Sequence, residues 1–102
     1  MKHQALFPTD DWLKSAEHVR VPTRRVSGAT LVIHLGRIST GSYQVAVSAR
    51  VPGFDPLHEL DESAAFPNRS NAILFGIRQI RNHWSDVPAL VADLKDAEEI
   101  DL

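Results

Sequence analysis

Residues 30–51, with the sequence TLVIHLGRISTGSYQVAVSARV, decide the fold. On either side of a short loop rich in glycine and serine, apolar side chains recur at every second position. A period of two places alternate side chains on opposite faces of a strand. We therefore predict an antiparallel hairpin with one buried face. The side chains predicted on the buried face are Leu31, Ile33, Leu35, Tyr43, Val45, Val47, Ala49 and Val51.

The opposite face of this hairpin is predicted to be open and largely polar. It combines hydroxyl, amide and guanidinium groups with a histidine, whose charge can change near neutral pH. An ordinary solvated sheet face is the simplest interpretation, and a recognition surface for a protein or a nucleic acid is the alternative. The side chains predicted on this open face are Thr30, His34, Gln44, Ser48 and Arg50.

The segment before the hairpin predicts a helix. Thr9 can act as its N-cap, and the two aspartates that follow suit the first turn. Apolar residues then recur at helical spacing as far as Val19. We expect the helix to end near Arg20, because Pro22 disfavours helical geometry at the residue before it.

The segment after the hairpin is ambiguous before it becomes helical. Residues 57–66 fit either a third, edge strand or an irregular loop. Asn68 or Ser70 can cap the helix that follows. One face of that helix carries a continuous apolar stripe, which predicts that it packs on the sheet. The stripe consists of Ile73, Ile77, Ile80 and Trp84.

A third helix is predicted near the C-terminal end, capped by Ser85 and Asp86 and with Pro88 in its first turn. Residues 93–102 carry five acidic residues and one lysine. Because carboxylates at a helix C-terminus oppose the helix macrodipole, we expect this acidic end to fray.

Together these elements predict an α+β fold in the order α-β-β-(β)-α-α, with a small antiparallel sheet packed on one face by helices. The length of 102 residues fits a single domain covering residues 1–102. The chain contains no cysteine, which excludes disulfides and thiolate chemistry. Because no long apolar run opens the chain, we expect a cytoplasmic protein that does not enter a membrane.

No catalytic motif emerges. None of the five histidines lies in a His-Glu-x-x-His spacing, and neither a glycine-rich phosphate loop nor a Gly-x-Ser-x-Gly elbow is present. The densest group of potential ligands, His58, Glu59, Asp61 and Glu62, is more typical of a solvated acidic loop than of a metal site. We therefore expect a protein that is not an enzyme, with no catalytic residues, no metal and no cofactor. An enzyme centred on His34 or His58 is a third hypothesis.

Charge is distributed unevenly along the chain. Residues 1–50 carry seven basic and three acidic residues, whereas residues 51–102 carry four basic and ten acidic residues. Arginine forks bind phosphates and carboxylates alike, so the basic cluster suggests a nucleic-acid site. The one aromatic residue nearby, Tyr43, is predicted to be buried and therefore unable to stack on bases. The nucleic-acid candidates are Arg20, Arg24, Arg25 and Arg37, with Arg50 on the open face.

The helix with the apolar stripe also carries residues on its other side. Phe75 lies nearly opposite the centre of the stripe on a helical wheel. A large apolar side chain at that position predicts a second burial surface, against the third helix, a protein partner or a second copy of the chain. The protein-interface candidates are Ala72, Phe75 and Gln79.

Residues 41–53, GSYQVAVSARVPG, resemble the second strand and exit turn of HicB-type antitoxin domains. In that family a Gly-Tyr start leads into an apolar strand that ends in a Leu-Pro-Gly-like turn, and an acidic loop and an amphipathic helix follow. The resemblance covers residues 29–84. This chain departs from the family in its additional first helix and in the proline-containing acidic helix that replaces the family's strand after the amphipathic helix. The resemblance implies a non-catalytic binding domain, related to partial double-stranded-RNA-binding folds and encoded by a mobile element, and it transfers no site residue.

The leading hypothesis from the sequence is a non-enzymatic protein-binding module of regulator, antitoxin or inhibitor type. We expect a protein partner, and a homodimer is a further hypothesis because a core of this size gains from added burial. The alternative is a nucleic-acid-binding domain that uses the arginine cluster and the open sheet face.

Overall fold

The structure, a computed structural model, describes residues 8–38, 41–100 and 102. Residues 1–7 of the predicted domain, residues 39 and 40 of the predicted hairpin loop and residue 101 of the predicted acidic end lie outside the described residues. The elements are α1 (Asp10–Ser15), β1 (Glu17–Val21), β2 (Thr30–Arg37), β3 (Tyr43–Arg50), β4 (Leu57–Phe66), α2 (Arg69–His83) and α3 (Pro88–Glu98).

The four strands form one antiparallel sheet in the order β1-β2-β3-β4. This arrangement confirms the predicted α+β fold. The hairpin of β2 and β3 is also confirmed, with Thr30 opposite Arg50 at one end and Arg37 opposite Tyr43 at the other. Residues 57–66 form edge strand β4, which decides between the two alternatives left open by the sequence.

The first helix is shorter than predicted. Thr9 is its N-cap as expected, accepting a hydrogen bond from the amide of Trp12 at 3.3 Å, but the helix ends at Ser15. The next residues form β1, so the prediction of a helix to Arg20 was wrong. Val19 and Val21 are 7% and 5% exposed, and they alternate with exposed side chains. Two β-branched residues at a period of two gain more by pairing with β2 than by extending a helix.

One hydrophobic core lies between the sheet and helices α2 and α3. The predicted stripe of α2 is buried throughout, and its central residue Ile77 is 1% exposed. Asn68 is the N-cap of α2 and accepts hydrogen bonds from the amides of Ser70 and Asn71. Gly76 allows α2 to approach the sheet closely, because a β-carbon there would lie 2.8 Å from Cγ2 of Ile33.

The third helix differs from the prediction at both ends. Val87 occupies its N-cap position without a side-chain hydrogen bond, so the predicted cap by Ser85 and Asp86 was wrong, whereas Pro88 begins the helix as expected. The helix continues to Glu98, and the predicted fraying from residue 93 does not occur within it. Its carboxylates are neutralised by arginines from elsewhere in the chain, and this pairing offsets their unfavourable interaction with the macrodipole.

Helix α1 packs on the other face of the sheet, the face predicted to be open. The ring of Trp12 lies over Gly36, where a side chain would collide with it. The indole Nε1 donates a hydrogen bond to Oε1 of Gln44 at 3.4 Å. This end of the open face is therefore covered by α1.

Gly36→Ala is expected to displace Trp12 and to lower the free energy of unfolding by about 1–3 kcal/mol, because the added methyl group overlaps the indole. In a Trp12→Ala background the overlap is gone, and the same substitution is expected to cost less than about 0.5 kcal/mol. Urea denaturation of the four proteins in this double-mutant cycle measures the coupling. Equal costs in the two backgrounds would show that Trp12 does not rest on Gly36.

Candidate functional site

The open face carries a row of polar side chains that crosses all four strands. The register places His18 of β1 opposite His34 of β2, and Ser48 of β3 opposite His58 of β4. We call these four residues the histidine row.

Short contacts connect the histidine row from one edge of the sheet to the other. Nδ1 of His18 lies 2.7 Å from Nδ1 of His34. Nε2 of His34 lies 2.8 Å from Oγ of Ser48, and Nδ1 of His58 lies 3.4 Å from the same oxygen. Each contact holds one proton, so the tautomers of the three imidazoles determine which atom donates in it.

His34 is the most buried member of the row, with 8% of its surface exposed. The sequence predicted His34 on a solvated face, and the structure corrects this. Neighbouring strands flank His34, and Trp12 covers Gly36, the next residue of β2 on the same face. Burial, together with the nearby imidazoles of His18 and His58, lowers the pKa of His34 to about 4. His34 is therefore uncharged at neutral pH.

Three residues of the histidine row are arranged like a catalytic triad, with Ser48 in the place of the nucleophile, His34 in that of the base and His18 in that of the orienting group. A general base works best when its pKa is near the working pH. At a pKa of about 4, His34 takes a serine proton poorly at neutral pH. His34 is therefore a weak base for activating Ser48 at neutral pH.

The acidic cluster on β4 does not converge. Because side chains alternate along a strand, His58 and Glu62 lie on the open face, whereas Glu59 and Asp61, which pair with core residues of β3, lie on the other. Within the ranges that the structure describes, no group of three or more histidine, aspartate or glutamate side chains is placed to hold a metal ion.

The five predicted open-face residues separate into three locations. His34 and Ser48 belong to the histidine row, and Gln44 lies under Trp12. Thr30 and Arg50 are exposed and face each other at the end of the hairpin. The sequence missed His18 because its segment was predicted to be helical. The alternation of residues 17–21 is the signal in the sequence that favours a strand there, although it is short.

Most of the predicted arginine cluster is engaged within the chain. Nη1 of Arg25 lies 2.9 Å from a carboxylate oxygen of Asp93 and 2.7 Å from one of Asp96, and these hydrogen bonds, Asp96 first, raise the pKa of Arg25. Arg24 lies 3.5 Å from Asp96. The guanidinium of Arg37 lies 5.1 Å from the centre of the Tyr43 ring. Arg20 is exposed on β1.

Asp93 is the centre of this charge pairing, and the sequence placed it in a frayed end. It is 2% exposed, and its carboxylate accepts hydrogen bonds from the amides of Arg25 and Val26 as well as from the Arg25 guanidinium. Burial by itself raises the pKa of Asp93, but the amides of Val26, Arg24 and Arg25 and the guanidinium together lower it. The Asp93 carboxylate therefore fixes the loop between β1 and β2 to helix α3.

The interface candidates on α2 face their own chain in part. Ala72 is fully buried in the core and unable to contact a partner, which corrects its prediction as an interface residue. Phe75 is half-buried, and its ring centre lies 4.8 Å from that of Phe66 in β4. Oε1 of Gln79 is buried and accepts no hydrogen bond from a described residue.

A second surface lies at the turn between β3 and β4. The amide of Phe54 donates to the carbonyl of Val51 at 3.1 Å, and Gly53 has a φ of 87°. These features fit a type II turn with Pro52 and Gly53 at its centre. The turn holds the Phe54 side chain 48% exposed, and its ring centre lies 6.2 Å from that of Trp84.

A shallow cavity of about 260 Å³ adjoins this turn. We call the exposed ring and the cavity the Phe54 surface. Its lining residues are Gly28, Arg50, Val51, Pro52, Gly53, Phe54 and Pro56.

Comparison of the chain with protein-family models, with curated proteins and with solved structures finds no match. In residues 8–38, 41–100 and 102, no helix is both long enough and apolar enough to cross a membrane.

Proposed function

We propose that the chain is a non-enzymatic protein-binding module, of regulator, antitoxin or inhibitor type, that binds its partner through the Phe54 surface. The observation that carries this proposal is a half-exposed aromatic ring held on a rigid turn. Among the described residues, Phe54 and Ile100 are the large apolar side chains with about half of their surface exposed, at 48% and 50%.

The chemistry of the Phe54 surface favours a protein partner. Aromatic residues and arginine are enriched at the centres of protein interfaces, and both occur here as Phe54 and Arg50. A proline-glycine turn already fixes the backbone, so binding loses little conformational entropy. The adjoining cavity offers a concave site for a partner's side chain.

Two further observations support a protein-binding role over the alternatives. Arg25 is held by Asp93 and Asp96, and the exposed Arg24 lies 3.5 Å from Asp96, so a phosphate group would have to compete with these carboxylates. The low basicity of His34 argues against serine activation in the histidine row.

Affinity capture with matched variants tests the proposal. The tagged full chain is used to capture proteins from its source lysate with and without nuclease treatment, alongside Phe54→Ser and the control Ile100→Ser, which removes an equally exposed apolar side chain. We expect one stoichiometric protein with the wild type and with Ile100→Ser, and at least about tenfold less of it with Phe54→Ser.

Two other outcomes contradict the proposal, and a third identifies the partner as the chain itself. Undiminished capture by Phe54→Ser would place the interface elsewhere, and partners that disappear with nuclease would favour the nucleic-acid alternative. If sedimentation shows a dimer that Phe54→Ser dissociates, the partner is a second copy of the chain.

A further inference from the structure

We propose that the histidine row is an acid-sensitive latch, which ties edge strand β1 to the sheet while its imidazoles are uncharged and releases this strand when the row gains protons. This inference is independent of the Phe54 surface. It starts from the contact between His18 and His34, the link of the row that joins β1 to β2.

The contact between His18 and His34 tolerates one proton and not two. At 2.7 Å the two Nδ1 atoms are joined by a hydrogen bond, in which one nitrogen donates and the other accepts. When both rings are imidazolium, both nitrogens carry hydrogens and no acceptor remains. The hydrogen bond is then replaced by a repulsion between two positive charges.

The rest of the row limits how His34 can avoid this repulsion. Its Nε2 faces the Ser48 hydroxyl, which also faces Nδ1 of His58. When His34 donates to Ser48, the hydroxyl can donate onward to His58, and all contacts are satisfied with neutral rings. When the imidazoles at both ends of the row, His18 and His58, are protonated, both donate towards the centre of the row. The hydrogen bonds can then no longer all run in one direction.

The imidazoles closest to His34 disfavour added positive charge on it. Among the described residues, the charged or titratable groups on this face include His18 and Arg20 from β1, Arg50 from β3, and His58 and the exposed Glu62 from β4, and α1 carries Asp10, Asp11 and Lys14 besides the ring of Trp12. The imidazoles of His18 and His58 both disfavour the charged form of His34. Protonation therefore adds positive charge beside existing or developing positive charge.

Strand β1 is the element that this change would release. It has five residues and, in the part of the chain that the structure describes, it pairs with one neighbour, β2. Its side-chain attachments there include Val19 and Val21 on the core face and the ion pair of Glu17 with Arg69. Detachment would expose the backbone edge of β2, which can pair with an added strand from a partner.

The pH range in which the latch opens follows from the number of protons that the folded and unfolded states bind. An unfolded histidine has a pKa near 6.5, whereas His34 in the folded chain has a pKa of about 4. The unfolded state therefore binds more protons between these values, and the free energy of unfolding decreases as the pH falls from about 6.5 towards 4. The side-chain hydrogen bond from Arg69 lowers the pKa of Glu17, and hydrogen bonds from amides and from Arg25 lower that of Asp93, so both carboxylates stay largely ionised in the folded chain down to about pH 5.

Urea denaturation of the full chain at about pH 7.5 and about pH 5 tests the latch. From the pKa of about 4, the unfolding equilibrium constant of the wild type is expected to rise roughly 10- to 30-fold on acidification through His34 alone. His34→Gln is expected to lose most of this rise, and His18→Gln a part of it, because burial is the larger cause of the lowered pKa of His34 and the neighbouring imidazole of His18 the smaller one. His83→Gln is the control, because His83 lies outside the row against Trp84, and it is expected to retain the rise.

A wild type whose equilibrium constant stays constant over this range would overturn the proposal. The same conclusion follows if His18→Gln, which alters the exposed end of the row and leaves buried His34 in place, retains the full rise. This second variant keeps the test decisive if His34→Gln fails to fold.

Amide hydrogen exchange distinguishes a latch from general destabilisation. At about pH 5, after correction for intrinsic exchange rates, the amides of β1 are expected to lose protection before those of β3. Equal loss in the two strands would rule out selective release of β1. In His83→Gln the order of loss is expected to match the wild type.

Discussion

Asp93→Ala is expected to lower the free energy of unfolding by about 2–4 kcal/mol. The carboxylate of Asp93 is 2% exposed and accepts the amides of Arg25 and Val26. Alanine leaves these amides without their acceptor in a partly buried place, and it removes an ion pair with Arg25. Denaturation by urea at neutral pH measures the effect.

Asp96→Ala is the matched control for this prediction. Asp96 is one helical turn away, pairs with the same arginine and has 47% of its side chain exposed. Exposed ion pairs contribute about 0–1 kcal/mol, so its loss should have a small effect. If the two substitutions have equal effects, Asp93 contributes only as a surface charge and does not fix the β1–β2 connection to α3.

Ile77→Ala is expected to cost about 2–5 kcal/mol, because it removes a side chain that is 1% exposed from the centre of the α2 stripe and leaves a cavity. Ile77→Val, which removes one methylene group, should cost about 0.5–1.5 kcal/mol. Urea denaturation of these two variants and of the wild type measures the free energy of unfolding of each, and so the cost of each substitution.

Ile100→Ala supplies the comparison for Ile77, since Ile100 is 50% exposed. Its effect should stay within about 0.5 kcal/mol. A cost for Ile77→Ala as small as that of Ile100→Ala would mean that α2 does not pack on the sheet through its apolar stripe.

The central hairpin and the α2 stripe were predictable because burial imposes a period on the sequence. Val45 and Val47 are fully buried at a period of two, and Ile73, Ile77 and Ile80 lie on one helical face. In both segments the local preference and the tertiary packing favour the same structure, so the pattern is sufficient.

Strand β1 was not predictable in the same way. Ala16 and Val19 fit the helical spacing that begins at Trp12, and the segment is too short for its alternation to outweigh that spacing. Pairing with β2, a tertiary interaction, decides the outcome. Because residues 17–20 were predicted to be helical, His18 was not predicted to lie on the open face beside His34.

The candidate sites depend on register, which the sequence alone does not provide. His18 and His34 are 16 positions apart, and Arg25 and Asp93 are 68 positions apart. The composition revealed that the two halves carry opposite charge, but it could not show that these charges pair with each other. The acidic residues of α3 consequently looked like a solvated end.

The order of the strands in the sheet is also their order along the chain. Each strand therefore finds its partner in the segment just before or after it, and every pairing closes only a short connection. Assembly can advance one hairpin at a time, and the sheet provides a surface for α2 before the last helix is needed. Early ordering of the sheet thus requires little loss of chain entropy. This holds although a fold dominated by strands usually has more non-local contacts than a helical one.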